Sequence, residues 1–376
     1  MILPGRVRER AEELAGDLPA YVYDLAALDA HAADVRRALA DVEVYYAVKA
    51  NPDPALLRTL APHVDGFEVS SGGEAAHVRE VLPGARLAFG GPGKTDAELA
   101  VPVHRLHVES PGELRRLIAA GRPADVLLRV NLDVPVDGAS LAMGGGATPF
   151  GMDPGGIAEC LASLRGQGHV RPRGFHAHLA SGLHAPELLR LAGAVVEFAR
   201  EHGTHGEHRG HGAREVNVGG GMAVPYRRPD ERFDWDAYGK GLAALRAPGE
   251  TLRVEPGRAL TAYCGWYLTR VLDVKRVHGE VFAVVTGGTH HLRTPAAKGH
   301  DQPFAVLPTG NGRGADDEPV TVVGQLCTPK DVFARRVVTT VRPGDVVAFG
   351  MAGAYAWTIS HHDFLMHPRP GFHYLT

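Results

Sequence analysis

Short apolar strands alternating with amphipathic helical stretches predict a parallel (β/α)8 barrel, followed by a second domain made of strands. The strand-like runs are 42–48, 65–70, 86–89, 105–109, 125–131, 173–179, 214–218 and 251–255, enough to close a barrel between residue 28 and about 260. After Arg258 the helical pattern stops, and 262–290 and 319–350 are β-rich runs broken by Gly and Pro. A chain of 376 residues is long enough for both parts. The expected division is a barrel over 28–260 and a β-domain from 1–27 together with 261–376.

Each element has its own sequence signal. Ala20-Tyr21-Val22-Tyr23 reads as a strand lent to the β-domain. Val42 to Val48 is rich in β-branched and aromatic residues and is stopped by Asn51-Pro52. Lys49 stands at its end, where a buried amine must be paired, neutralised or covalently used. Ser110-Pro111-Gly112-Glu113 supplies an N-cap serine, a first-turn proline and a glutamate ahead of Leu114, Leu117 and Ile118. The excursion 132–152 carries Gly144-Gly145-Gly146, and a loop in that place overhangs the site face of a barrel. Pro186 to Arg200 shows a broad apolar helix face. Pro343-Gly344-Asp345 lies between two β-branched runs and predicts a hairpin turn.

Composition excludes several classes. A formal net charge of −3 and a pI near 6.7 imply no global attraction to nucleic acid or anionic membrane. Mean hydropathy is −0.11 and no run reaches the roughly 18 apolar residues of a membrane span. Met1 to Arg8 does not read as a secretory signal. Cys160, Cys264 and Cys327 form no CxxC pair and read as reduced thiols of a cytoplasmic protein, with no metal site. The His-rich run 202–211 reads as a solvated loop, because flexible Gly-rich backbone does not preset ligand geometry.

In a parallel barrel the C-terminal strand ends converge on one face. Here they deliver Lys49, Glu68 and Ser70-Ser71-Gly72-Gly73-Glu74, Arg129 and Asn131, then His176, His178 and Ser181. Gly219-Gly220-Gly221 and Glu255-Pro256-Gly257-Arg258 complete the set. A glycine run brings backbone N–H groups close to a phosphate, and Arg258 strengthens a dianion site. No Gly-x-x-x-x-Gly-Lys-Ser/Thr nucleotide loop is present. Phosphate site and strand-end lysine together fit pyridoxal 5'-phosphate, with Lys49 as its covalent partner. Glu255 then faces the pyridine nitrogen. His178 either stacks on the ring or is a hydrogen-bonded structural histidine.

On these motifs, with Gly324-Gln325-Leu326-Cys327 and Gly353-Ala354-Tyr355, the chain resembles the fold-type III pyridoxal-phosphate decarboxylases, the diaminopimelate and ornithine decarboxylase family. The resemblance covers nearly the whole chain. It implies an alanine-racemase-like barrel with a β-domain, and a homodimer with shared active sites in which Cys327 serves the partner subunit as proton donor. It also implies that Tyr355 reaches the cofactor phosphate. The family's racemases carry an arginine opposite the pyridine nitrogen, where Glu255 here favours loss of carbon dioxide.

Two departures bear on the amino-acid-derived substrate. Thr328-Pro329-Lys330-Asp331 follows Cys327, where the diamino-acid enzymes carry an acid immediately after the cysteine. The stretch 287–300 holds His290, His291, Arg293, Lys298 and His300, a set suited to carboxylates. The first makes a simple diamino acid a poorer fit. The second, with Ser360 to Pro368, resembles the siderophore-pathway branch of the staphyloferrin B type, which acts on a citryl conjugate of 2,3-diaminopropionate. His290, His291, Arg293, Thr328 and Asp331 are the candidate substrate contacts. The alternatives are a decarboxylase of free diaminopimelate, ornithine or lysine, and a non-catalytic cofactor-binding protein.

Overall fold

The computed structural model describes residues 1–136, 138–203 and 214–376. It divides into two compact units, one of Met1–Ala30, Val224–Arg232 and Leu260–Thr376, the other of His31–Ala223 and Phe233–Ala259. Residues 224–232, expected in the barrel, therefore cluster with the β-rich part instead.

After a first strand, β1 (Ala20–Asp24), the chain builds the barrel. Its strands are β2 (Glu43–Ala47), β3 (Gly66–Val69), β4 (Leu87–Phe89), β5 (Arg105–Val108) and β6 (Ala124–Arg129). The short β7 (Leu141–Ala142) stands outside it, then β8 (Val170–His176) joins, and β9 (Ala180–Ser181) pairs with β7. β10 (Arg214–Asn217) and β11 (Glu250–Val254) close the ring, in the order β10-β11-β2-β3-β4-β5-β6-β8. All eight pairings are parallel. Every expected barrel strand is present, though the sixth stops at His176 rather than Leu179. The Ser110 hydroxyl accepts from the Glu113 N–H at 3.0 Å and starts the helix Pro111–Ala119. The helix Ala185–Gly203 buries Leu188, Leu191, Ala192, Val195, Val196 and Phe198.

Alternate residues of a barrel strand point inward, and here several are charged. Arg105 on β5 pairs with Glu215 on β10, which is not its neighbour, so the contact crosses the interior. Arg253, 1% exposed, joins Glu215 at 3.1 Å. Two residues further along the same strands stand His107, Asn217 and Glu255. The barrel is thus filled by a lower ionic layer and an upper layer of imidazole, amide and carboxylate.

In the β-rich unit, β12 (Gly265–Val277), β13 (Glu280–Val285), β14 (Phe304–Leu307), β15 (Ala315–Val323), β16 (Val332–Val341) and β17 (Val346–Phe349) form one sheet, in the order β14-β17-β12-β13-β15-β16. β1 pairs with β12 and with β18 (Gly371–Leu375). The expected hairpin does not form. Asp345 N–H does close a turn on the Arg342 carbonyl at 3.1 Å. Beyond it, however, β17 pairs with β12 and β14 instead of β16. Gly344 N–H and the Asp345 carbonyl are both engaged by Val271 of β12, which steers the chain away. Within this unit an N-terminal helix, Gly5–Glu13, that the sequence reading did not foresee packs Val7 and Ala11 against Val22, Trp266 and Leu268.

Candidate active site

Lys49 follows β2 in a single 3-10 turn, Val48–Ala50. Its Nζ lies 2.7 Å from Glu68 Oε2, with the lysine side chain 42% exposed and the glutamate 5%. The expectation of a buried amine is therefore corrected: the stem leaves the strand end and the ammonium meets a carboxylate at an open position. Ser70 Oγ donates to Glu68 Oε1 at 3.1 Å and fixes the rest of that carboxylate. The turn carrying Lys49 is tied to the turn after β11. Ala47 N–H donates to the Pro256 carbonyl at 3.1 Å. A Cβ on Gly257 would stand 3.0 Å from the Ala50 Cβ, so these turns pack closely only with glycine there.

Glu255 is 6% exposed and accepts from Asn217 Nδ2 at 2.6 Å. Burial pushes its carboxyl upward, but the nearby His176, His107 and Lys49 outweigh burial and hold it well below the usual carboxylate range. It is a carboxylate at neutral pH. Asn217 Oδ1 also accepts from the Gly219 N–H at 3.0 Å, linking this carboxylate to the glycine turn.

A Cβ at Gly219, Gly220 or Gly221 would lie 2.6, 2.3 or 2.2 Å from a backbone carbonyl oxygen, respectively of Ala177, Glu255 and Ala180. The turn therefore admits no side chain. One of its amides is already engaged within the protein: Gly220 N–H donates to His178 Nδ1 at 2.9 Å. His178 Nε2 then faces Ser181 Oγ at 3.3 Å. Burial, then the nearby charge of Lys49, lowers the His178 pKa to about 3, so the ring is neutral with its proton on Nε2. Arg258 opens the short helix Arg258–Thr261 rather than ending a strand, and is half-buried. Arg129 is buried against Glu109 at 2.7 Å. Asn131 binds the excursion loop, donating to the Gly146 carbonyl at 2.9 Å.

In the β-rich unit Cys327 is exposed. Tyr355 is half-buried, and its carbonyl accepts from Thr294 Oγ1. His290 and His291 are 0% and 1% exposed. Burial, then neighbouring histidines, lowers them to about 4 and about 3, so they are neutral and not the cations the sequence suggested. Tyr267 Oη and the Pro368 carbonyl bracket the two nitrogens of His291 at 2.9 and 3.0 Å. Arg293 and Lys298 do remain exposed. Thr328 is half-buried. Asp331 is 2% exposed, and its oxygens accept from the Thr289 and Leu326 amides at 2.6 and 2.8 Å. Asp331 therefore shapes the loop bearing Cys327 instead of facing a ligand. A cleft of about 610 Å³ in this unit is lined by Tyr226, Arg227, His300, Phe304 and Arg335, and by none of the cofactor candidates. Of the His-rich run, His202 stacks on Phe198 at 3.9 Å, and 204–211 lie outside the described residues.

The sequence reading missed His107 and Asn217. The available signal was period-two polarity in otherwise apolar strands: Arg105 then His107, Glu215 then Asn217, Arg253 then Glu255.

Residues 25–262 match the family model described as pyridoxal-dependent decarboxylase, pyridoxal binding domain. The chain belongs to the pyridoxal-dependent decarboxylases. Its similarity extends over its length. It is 39% identical over 376 aligned residues, 95% of this chain and 94% of the relative, to the 2-[(L-alanin-3-ylcarbamoyl)methyl]-2-hydroxybutanedioate decarboxylase of Staphylococcus aureus. It is 34% identical over 358 residues, 94% of this chain and 88% of the relative, to diaminopimelate decarboxylase of Deinococcus radiodurans. The fold matches the crystal structure of diaminopimelate decarboxylase from Helicobacter pylori with a TM-score of 0.86 at 24% identity, covering 97% of this chain and 94% of that one. The non-catalytic alternative is thereby set aside, and the cofactor is pyridoxal 5'-phosphate. The decarboxylase's residues fit that group: an accessible amine, an ionised carboxylate and a glycine turn with no room for side chains.

Proposed function

We propose that this decarboxylase acts on an amino acid joined through an amide to a polycarboxylate, in siderophore or related secondary metabolism. One observation carries the reading: near-complete coverage at 39% identity by a relative whose name describes an amino-acid end linked to a hydroxybutanedioate end. The second reading, a free diamino acid such as diaminopimelate, ornithine or lysine, draws on the 34% identity to a diaminopimelate decarboxylase. Thr328 in place of an acid after Cys327 favours the first.

When bound, the cofactor supplies an electron-poor pyridinium ring that accepts the electrons of the Cα–carboxyl bond as carbon dioxide leaves. Lys49 is the amine that holds it covalently, with Glu68 as the partner that orients that amine. Glu255 keeps a proton on the pyridine nitrogen. His178 places its neutral ring against the cofactor face. Ser181, the Gly219–Gly221 turn, Gly257, Arg258 and Tyr355 hold the phosphate. The Cys327 thiol returns a proton to Cα. Arg293 and Thr328 meet the distal end of the substrate, while His290, His291 and Asp331 shape the loops around them.

The proposal includes a homodimer in which Cys327 and its neighbours serve the partner subunit's site, and a cytoplasmic location. Among the described residues no helix is long and apolar enough to cross a membrane. The test is carbon dioxide release from the citryl conjugate of 2,3-diaminopropionate, diaminopimelate, ornithine and lysine, each at equal concentration. The conjugate is expected to be the best substrate by kcat/KM. Preference for any free diamino acid rejects the reading.

A further inference from the structure

His107 and His176 lie face to face across the barrel interior, with ring centroids 4.0 Å apart and planes inclined by 21°. They are 0% and 3% exposed. His176 Nε2 stands 3.3 Å from Glu255 Oε2, and His107 Nε2 stands 3.9 Å from Oε1. None of the four ring nitrogens makes a well-aligned hydrogen bond among the described residues. A buried polar group left unsatisfied is destabilising, and branched aliphatic side chains, which fill most such barrels, avoid that cost. Packing alone therefore does not account for two imidazoles at this depth. What they do offer is polarity directed at one buried carboxylate.

The charged and titratable groups acting on His107 are His176, Glu255, Arg253 and Lys94, and Lys49 acts on Glu255. Asn217 holds the other side of the carboxylate. The three side chains are close enough to suggest a metal site. The ring geometry opposes that: nearly parallel stacked rings aim their in-plane lone pairs side by side, not at one point.

We propose that His107 and His176 are positioning residues for Glu255, keeping it ionised and aimed so that the cofactor's pyridine nitrogen stays protonated. The inference rests on the proposed placement of Glu255 at that nitrogen. His176 supplies the near contact to Oε2. His107 stacks on that ring with its own Nε2 3.9 Å from Oε1, and is held neutral by burial and by His176.

Holoenzyme reconstituted with cofactor labelled with 15N at the pyridine nitrogen reports its protonation by NMR, independently of turnover. The wild type is expected to show the protonated signal throughout the neutral pH range. His176→Phe and the His107→Phe/His176→Phe double variant are expected to lose it within that range while retaining bound cofactor. His176→Gln, which keeps a donor, is expected to hold it. An unprotonated nitrogen in the wild type overturns the inference, and so does a signal unchanged in the Phe variants. If the double variant fails to fold, the His176→Phe and His176→Gln pair decides on the same criterion. Glu255→Gln separates the two layers of the argument. A nitrogen still protonated there faults the placement of Glu255. Protonation lost there but kept in the Phe variants faults only the imidazole pair.

Discussion

Lys49 and Glu68 come from adjacent barrel strands and meet at 2.7 Å, the carboxylate buried and the lysine largely open. The amine is thus oriented before any ligand arrives, yet remains reachable. Borohydride reduction followed by mass spectrometry is expected to find the pyridoxyl group on Lys49. Lys49→Ala should abolish the yellow colour of the covalent link. A pyridoxyl group on Lys94 or Lys240 would remove Lys49 from its proposed role.

Glu255→Gln retains Asn217's hydrogen bond to the remaining carbonyl but cannot hold a pyridinium proton. Cofactor occupancy should persist, while kcat falls by about 10²- to 10³-fold, the scale for losing one preorganised electrostatic partner. Near-wild-type turnover would reduce Glu255 to a structural residue.

Gly220→Ala places a methyl 2.3 Å from the Glu255 carbonyl oxygen. Overpacking of this kind costs about 1–3 kcal/mol, and here it must move the turn itself. Cofactor titration should show a weaker Kd. An unaltered Kd with unaltered melting temperature would show that the glycine is not required for cofactor binding.

Arg293→Ala tests the substrate proposal at the exposed cation of the 287–300 stretch. Loss of a charge-assisted hydrogen bond is worth about 1.5–3 kcal/mol, so kcat/KM for the citryl conjugate should drop by roughly ten- to hundred-fold. Cofactor occupancy and any slow turnover of a free diamino acid should not fall. If conjugate turnover is untouched, Arg293 does not meet the carboxylates.

His290 and His291 are neutral in the fold, at about 4 and about 3, and return toward the ordinary histidine value when unfolded. Because the folded values are depressed, the unfolded chain binds more protons between about pH 6.5 and pH 4, and stability falls as pH falls through that window. Thermal melting as a function of pH should show this loss, and His290→Phe should flatten it. A variant with the wild-type pH slope would assign the acid sensitivity elsewhere.

The barrel strands were legible because most are near-continuous apolar runs, as a strand buried on both faces requires, and β5, β10 and β11 still alternate with period two. Lys49, Glu68, Gly219–Gly221 and Glu255 could be read as one set because strand ends in such a barrel converge whatever the loops do. The N-terminal helix was not legible, since Val7 and Ala11 form too narrow an apolar face among charged residues to be told from a loop.

Sequence alone therefore determined the local elements, the family and the residue types gathered at the barrel mouth, because these depend on short-range periodicity and motif order. Only the tertiary structure decided the environments. His290 and His291 look cationic in sequence and are neutral because burial removes the water that would stabilise their charge. Pro343-Gly344-Asp345 looks like a hairpin, yet β17 joins β12, because strand pairing is settled by long-range hydrogen bonds to Val271. His107, one residue in an apolar strand, acquires its meaning only when closure of the barrel brings it against His176 and Glu255.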